Sequence, residues 1–328
     1  MKINKIFNNK YIRIDPSKNI KPLYYIKNII IFLIPSIYFQ KKLTTLLNNT
    51  NYSKEVTERI NYYNKINSSF SLTNANSIQN FRKEKKKVYF FDLYKYLTYY
   101  NPKLNFLYLF GDIISVPNEP TLLKSRPIHG DNKNSIIMKL DKVRHFIFLN
   151  DKITFKEKKN LLVWRGKAHQ THRQYFLNKF YTNPLCDVGQ IIKKEDKGTV
   201  QWIKPKMSIK EHLNYKFILC IEGNDVASNL KWVMSSNSLA FMVAPKYETW
   251  FMEGKLIPNY HYVLLKDDYS DLEEKINYYS THTDKAEKII NNAHIYIEQF
   301  KNIEQEDFIS LMVVDKYFNY SSEFKKTT

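Results

Sequence analysis

The chain has 328 residues, with 51 Lys and Arg against 32 Asp and Glu, giving a formal charge of +19. Hydrophobic residues make up 43% and aromatics 15%, which is too much apolar side chain for a disordered or collagen-like polymer. Two cysteines, Cys186 and Cys220, cannot supply a disulfide framework for a chain this long, so a reducing cytoplasm is the expected setting, and the length favours two domains over one.

The first apolar stretch, Ile29 to Ile34, is interrupted by Pro35-Ser36 and resumes at Ile37-Tyr38-Phe39. A spanning helix needs about 20 apolar residues, so no span is predicted, and Met1 to Lys27 lack the cleavage site of a signal peptide. Lys27 before this stretch and Lys41-Lys42 after it suit a helix lying on an anionic membrane surface; a core helix with charged ends fits the same residues. A helix is predicted over 54–67, and the Asn-rich patches 47–51 and 68–80 read as loops. The densest cationic run, Arg82-Lys83-Glu84-Lys85-Lys86-Lys87, leads into a predicted strand at Val88 to Phe91 and reads either as a solvated loop or as a phosphate patch.

Further apolar runs predict strands at Phe106 to Phe110, His145 to Leu149, Leu161 to Trp164, Phe217 to Ile221, Ser238 to Val243 and Tyr262 to Leu265. Helices are predicted over 171–181, 208–213, 226–235, 270–279 and 284–300, with a last one to about residue 318, and the polar stretch 193–199 reads as a loop. Strand and helix alternate, which argues for α/β layering around mostly parallel sheets, with a weakly marked boundary between residues 150 and 160.

Only seven glycines occur, and three of them close predicted strands beside charged or amide side chains: Gly111-Asp112, Arg165-Gly166 and Glu222-Gly223-Asn224. Ligands of open α/β sheets bind outside the carboxyl ends of strands, so this placement points to a site; a plain turn explains any one of the three equally well. Asp112 puts a carboxylate at such a mouth, where a base could take a proton from a sugar hydroxyl, and the basic segment Lys124-Ser125-Arg126-Pro127 follows shortly. Arg165 and Arg173 offer planar forks suited to phosphate oxygens; surface ion pairing is the alternative. The segment Gly223-Asn224-Asp225-Val226-Ala227-Ser228-Asn229 opens a predicted helix whose free N–H groups favour a phosphate, with Asn229 and Lys231 as further donors. Asp225 or Asn224 reads equally well as a helix cap, and an acid there repels a diphosphate, so the backbone and Ser228 rank above Asp225 as phosphate contacts. His169 and His172 have no third ligand nearby, and a metal site there is disfavoured. The sequence has no Asp-x-Asp pair, no phosphate-binding Gly-x-x-x-x-Gly-Lys loop, no Gly-x-Gly-x-x-Gly and no His-Glu-x-x-His. It also lacks zinc-finger, ribonucleoprotein and zipper signatures, so nucleic acid is not the expected partner.

The residues Tyr215-Lys216-Phe217, Glu222 through Trp232, Asn237-Ser238-Leu239, Tyr247-Glu248 and Tyr260 to Val263 resemble glycosyltransferase family 90, which includes bacterial lipopolysaccharide core transferases and protein O-glucosyltransferases. Trp164-Arg165-Gly166 with Arg173, and Phe110-Gly111-Asp112 with Lys124-Ser125-Arg126-Pro127, resemble two further blocks of that family. The likeness covers roughly residues 85 to 300, and residues 20 to 70 look closer to the bacterial branch. It implies a GT-B architecture of two Rossmann-like domains facing a cleft: 1–155 on the acceptor side, 156–300 binding the nucleotide sugar, and 301–328 as a helix returning to the first domain. It implies inverting, metal-independent transfer of a hexose from a UDP-sugar, without a cofactor, to a lipopolysaccharide or lipooligosaccharide core saccharide on a lipid carrier. The expected place is the cytoplasm, peripheral to the inner membrane. Asp112 matches the family's catalytic base. Arg165, Gly166, Arg173, Gly223, Asn224, Asp225, Val226, Ala227, Ser228, Asn229 and Lys231 match donor-binding positions, and Lys124 and Arg126 fall on the acceptor or phosphate side. One departure is Asn229, where eukaryotic members place an Arg, which leaves Asn229 or Lys231 to take its part. The competing expectations are an enzyme of the same family acting on capsule or another glycan, and a non-catalytic basic protein that coats membrane or nucleic acid.

Overall fold

A computed structural model describes residues 21–48, 53–192 and 201–322. The leading half is mainly helical. Helices α1 (Lys21–Leu33) and α2 (Ser36–Asn48) meet at Pro35 with a bend of 90°. Proline cannot donate to the helical ladder and disfavours helical geometry in the residue before it, which makes this break sharp. Helix α3 (Lys54–Tyr63) starts at Ser53, whose hydroxyl accepts the Val56 N–H at 3.3 Å.

After these come β1 (Asn76–Ser77), α4 (Ile78–Phe81), α5 (Val88–Leu97), β2 (Asn105–Phe106), β3 (Thr121–Leu123), β4 (Arg126–Pro127), β5 (Ser135–Ile137) and α6 (Lys142–His145). β1 and β2 pair antiparallel, and β3 and β5 pair parallel. Beyond β2 the chain runs parallel to β3: the Leu122 N–H donates to the Leu107 carbonyl at 2.9 Å and the Leu109 N–H to the Leu122 carbonyl at 3.0 Å. Asp112 and Lys124 therefore both lie just past the carboxyl ends of neighbouring parallel segments.

The trailing half contains β6 (Lys159–Gly166), α7 (Thr171–Phe180), β7 (Cys186–Gln190), α8 (Ile209–His212), β8 (Tyr215–Leu219), α9 (Leu230–Met234), β9 (Leu239–Met242), β10 (Tyr247–Glu248) and β11 (Val263–Leu264), then α10 (Leu272–Thr281), α11 (Thr283–Glu298) and α12 (Ile303–Tyr320). Five of these strands form one sheet in the order β11-β9-β8-β6-β7, every pair parallel. A parallel sheet is covered on both faces, which is why its strands read as unbroken apolar runs. Alternate side chains serve the two faces. Leu162, Trp164, Phe217, Leu219 and Phe241 join a cluster with α7 and α10, whereas Val163, Ile218, Ala240 and Met242 join one that continues into α3, α5 and α12.

Strand pairing and helix packing tie the halves together. β4 pairs antiparallel with β10, and α12 packs back on α3 and α5. At that contact the Glu306 carboxylate accepts bonds from Arg59 Nη2 at 2.5 Å, Lys139 Nζ at 2.6 Å and Trp250 Nε1 at 2.7 Å, all buried. The Trp250 ring stacks on Tyr63 at 3.8 Å.

The α/β layering expected from the sequence is present, but the leading half carries short ladders rather than a second large sheet. Val88 to Phe91 is the start of α5 and not a strand. A short apolar run has no period that separates a buried helix from a strand, and this one continues through Leu97 as ten residues, seven of them buried. His145 to Leu149 is not a strand either: the segment leaves α6 and is held by the Leu149 N–H on Ser235 Oγ at 2.9 Å. The Asn-rich patch 68–80 holds β1 and the start of α4, and the patch 47–51 begins within α2. Residues 49–51 and the expected loop 193–199 lie outside the described residues.

Candidate active site

β7 lies on one side of β6 and β8 on the other, so the chain reverses its progress across the sheet between β6 and β8. Loops leaving the carboxyl ends of two such strands diverge, and the crevice between them is where open α/β sheets bind ligands. Arg165-Gly166 ends β6, and Glu222-Gly223-Asn224-Asp225 follows β8. The sequence motifs therefore meet at the topological switch point.

Across from them stand Asp112 and Lys124. Gly111 turns the chain ahead of Asp112 with φ of +110°, a conformation that side-chain-bearing residues rarely adopt. One Asp112 carboxylate oxygen accepts from Lys124 Nζ at 2.6 Å and the other from Asn224 Nδ2 at 3.1 Å. Lys124 is buried, and its ammonium also lies 2.7 Å from Asp225 Oδ2, so one cation joins an acid of the leading half to one of the trailing half. Asn224 is steadied in turn by Gln170 Nε2 at 2.9 Å. Partial burial raises the Asp112 pKa, but the hydrogen bond and charge of Lys124 outweigh it and hold the carboxyl below its ordinary value. Asp112 is ionised at neutral pH with its side chain still 30% exposed, which is the state a base requires.

The arginines differ in what they have free. Arg165 donates from Nε to the Pro205 carbonyl at 3.1 Å, from Nη1 to the Trp164 and Asp187 carbonyls at 3.0 and 2.6 Å, and from Nη2 to Asp187 Oδ1 at 2.7 Å. Its charge is paired with Asp187, which Lys204 also contacts. Arg173, rooted in α7, bonds only carbonyls: Glu222 at 2.8 Å, Lys167 at 2.8 Å and Ile221 at 3.1 Å. Among the described residues no carboxylate pairs with it. Burial, with the charge of Arg144 next, pushes its guanidinium down to about 10, which marks a cation short of a counter-ion. Its plane sits over the Trp164 ring, 5.4 Å from the centroid. That ring needs Gly166, where an added Cβ would come within 2.5 Å of it.

The predicted helix 226–235 is shorter than expected: α9 begins at Leu230 and has five residues. Residues 224–229 form a bent loop held by Asn229 Nδ2 on the Leu219 carbonyl at 2.9 Å and by the Leu230 N–H on the Ala227 carbonyl at 3.2 Å. The N–H groups of Gly223, Asn224, Asp225, Val226, Ala227, Ser228 and Asn229 donate to no protein acceptor among the described residues. The loop therefore offers backbone donors rather than a long helix dipole.

Three expected contacts lie elsewhere. Lys231 is fully buried, with Nζ 2.6 Å from Glu253 Oε1. Asn229 spends its amide on β8. Both side chains are thus engaged within the protein. Arg126 is also fully buried: it bonds Glu248 Oε1 at 2.8 Å and the carbonyls of Tyr62 and Ser135 at 2.7 and 3.1 Å, bracing β4 against α3 rather than facing the crevice. His172 lends Nε2 to the Glu222 carbonyl at 2.9 Å, and His169 is exposed. Arg144, which the sequence reading passed over, is exposed and near enough for its charge to act on both Asp112 and Arg173. Only its place just before an apolar run could have flagged it.

The family model for glycosyl transferase family 90 matches residues 134–320. O-glucosyltransferase LpsA of Dichelobacter nodosus is 41% identical over 302 residues, covering 90% of this chain and 94% of that protein. Protein O-glucosyltransferase 2 of Danio rerio is 24% identical over 139 residues, 41% of this chain and 28% of that protein.

Proposed function

The chain belongs to glycosyltransferase family 90, and from that membership and the crevice at β6 and β8 we propose an inverting, metal-independent transferase that moves a hexose from a UDP-sugar to a lipopolysaccharide or lipooligosaccharide core saccharide. The name of the Dichelobacter nodosus relative favours glucose as that hexose. The observation that carries the reading is the opposition of an ionised Asp112 on one wall to an uncompensated Arg173 on the other, bridged by Lys124 and Asn224.

An inverting transfer is a single in-line displacement, so the base and the leaving group must stand on opposite sides of the anomeric carbon. Asp112 takes the proton of the acceptor hydroxyl, whose oxygen bonds to that carbon as the bond to the diphosphate breaks. The departing electron pair settles on phosphate oxygens facing Arg173, Arg144 and the open N–H groups from Gly223 to Asn229, with the Ser228 hydroxyl as a further donor. These cations supply charge that other transferases obtain from a divalent ion. Asn224 must release Asp112 as the acceptor arrives. The facing carboxyl ends of the β3 and β6-to-β8 segments support a GT-B-type arrangement divided near residue 155, with α12 returning to the acceptor side. A saccharide held on a lipid carrier places the reaction at the cytoplasmic face of the inner membrane.

The test is a panel of UDP-sugars offered to the full chain, with release of UDP as the readout and core oligosaccharide as acceptor. Asp112→Asn should lose turnover while retaining UDP binding; turnover that survives puts the base elsewhere.

A further inference from the structure

Helix α1 carries its apolar residues outward as well as inward. Leu23, Ile26, Ile29, Ile30 and Leu33 are exposed at helical spacing, and the stripe continues round the Pro35 bend to Ile37 and Tyr38. At the bend, Leu33 is 70% and Ile37 59% exposed. The opposite face is fixed to the body: the Tyr24 hydroxyl donates to Asp92 Oδ1 at 2.7 Å, and Phe32 packs on Phe90 and Tyr94. The helix therefore presents one constant apolar face.

Cations border that face. Lys41 and Lys42 lie about one turn beyond Ile37 and Tyr38 on α2 and are exposed. The run Arg82 to Lys87 comes alongside the bend, with Arg82 Nη2 donating to the Phe32 carbonyl at 3.4 Å and both Arg82 and Lys86 over the Phe32 ring. Lys83, Lys85 and Lys87 remain exposed beside it. The sequence left this run open between a solvated loop and a phosphate patch; its position next to an exposed apolar ridge favours phosphate of one kind.

We propose that the α1–α2 elbow is a docking surface for an anionic lipid bilayer: the stripe from Leu23 to Tyr38 enters the acyl boundary of one leaflet, and Lys41, Lys42 and the run from Arg82 to Lys87 engage headgroup phosphates. Neither helix is by itself long and apolar enough to cross a membrane, and the pair is bent by 90°. At 1.5 Å per residue α1 is about 20 Å long, short of the roughly 30 Å of a hydrocarbon core, so the elbow lies in the interface rather than across it. An apolar ridge with a basic border is the composition that binds such a surface, each charge adding to the apolar burial. This surface is independent of which sugar is transferred, and its test uses no turnover.

Flotation of the full chain with phosphatidylcholine vesicles, with and without phosphatidylglycerol, should show binding to the anionic vesicles that weakens as salt rises. Binding to neither kind overturns the proposal. Ile26→Glu/Ile30→Glu should bind at least roughly tenfold more weakly, and Lys83→Glu/Lys85→Glu should bind more weakly with a flatter salt dependence; unchanged binding by both refutes it. Because Cys186 and Cys220 are buried, Ile30→Cys can be labelled selectively with an environment-sensitive dye, and Ile295→Cys on α11 serves as the control. A blue shift with anionic vesicles at residue 30 alone supports the proposal. A label at residue 30 already shielded without vesicles means that another part of the chain or a second copy covers the stripe, and overturns it. Self-association abolished by Ile26→Glu/Ile30→Glu, with no vesicle binding by the unaltered chain, overturns it in favour of a dimer face.

Discussion

Replacing Glu222 with glutamine isolates the titration of one buried carboxyl at the floor of the crevice. Its side chain accepts the N–H groups of Lys246 and Tyr247 at 3.0 and 3.4 Å, and its own carbonyl accepts from Arg173 and His172. Burial raises its pKa from 4.5 to about 7, the two backbone donors reducing the rise only in part. A shift of roughly 2.5 units at about 1.4 kcal/mol per unit makes the ionised carboxyl cost about 3 kcal/mol in the folded state. The sign follows from the direction: the folded chain holds its proton where the unfolded chain has lost it. The stability is therefore complete below pH 4.5 and is lost as pH rises through about 7. A glutamine side chain at this position would keep an acceptor for the two amides and has no proton to lose. Urea unfolding of the wild type and Glu222→Gln across this range should show a difference that grows with pH in favour of the variant, to about 3 kcal/mol and several degrees in Tm. Two stability curves that stay parallel from pH 5 to about 8 would refute the burial argument for this group.

Arg173→Ala should weaken UDP binding at least roughly tenfold by calorimetry, since a charge-assisted hydrogen bond is worth about 1.5–3 kcal/mol; unchanged affinity removes Arg173 from the donor site. Lys124→Met takes away the cation that holds Asp112 in its ionised form, so the acidic limb of the kcat/KM profile should move to higher pH. A limb that stays in place means Asp112 is not the group titrating. Lys231→Met leaves Glu253 buried without its partner and should cost about 3–5 kcal/mol in urea unfolding, with UDP affinity of the folded fraction unchanged. A loss of UDP affinity at wild-type stability would return Lys231 to the crevice.

The parallel sheet was legible because its strands are buried on both faces and therefore spell continuous apolar runs, each ended where the chain must turn. Residues 88–97 were not legible, since a helix sunk in a core loses the polar face that would reveal its period. The approach of Asp112 to Asn224 joins positions 112 apart in the sequence and leaves no local signature. Charge misled in the opposite direction. Arg126 and Lys231 look like phosphate ligands in a basic chain, yet their counter-ions Glu248 and Glu253 lie 122 and 22 residues further on, and only the folded chain shows that both pairs are internal. Arg144 escaped notice for the complementary reason: no glycine or motif marks it, and its nearness to Asp112 and Arg173 arises from how α6 is placed.

The Glu306 carboxylate sets a constraint on how this protein is made. Arg59 meets it across 247 residues of sequence. At about 5–20 residues per second of synthesis, α3 emerges from the ribosome roughly 12 to 50 seconds before its partner exists. Through that interval a guanidinium destined for the interior has no carboxylate, and the apolar side of α3 has no α12 to lie against. The front of the molecule cannot mature in the order in which it is translated. It must wait, open to chaperones and to premature contacts, until α12 has been translated.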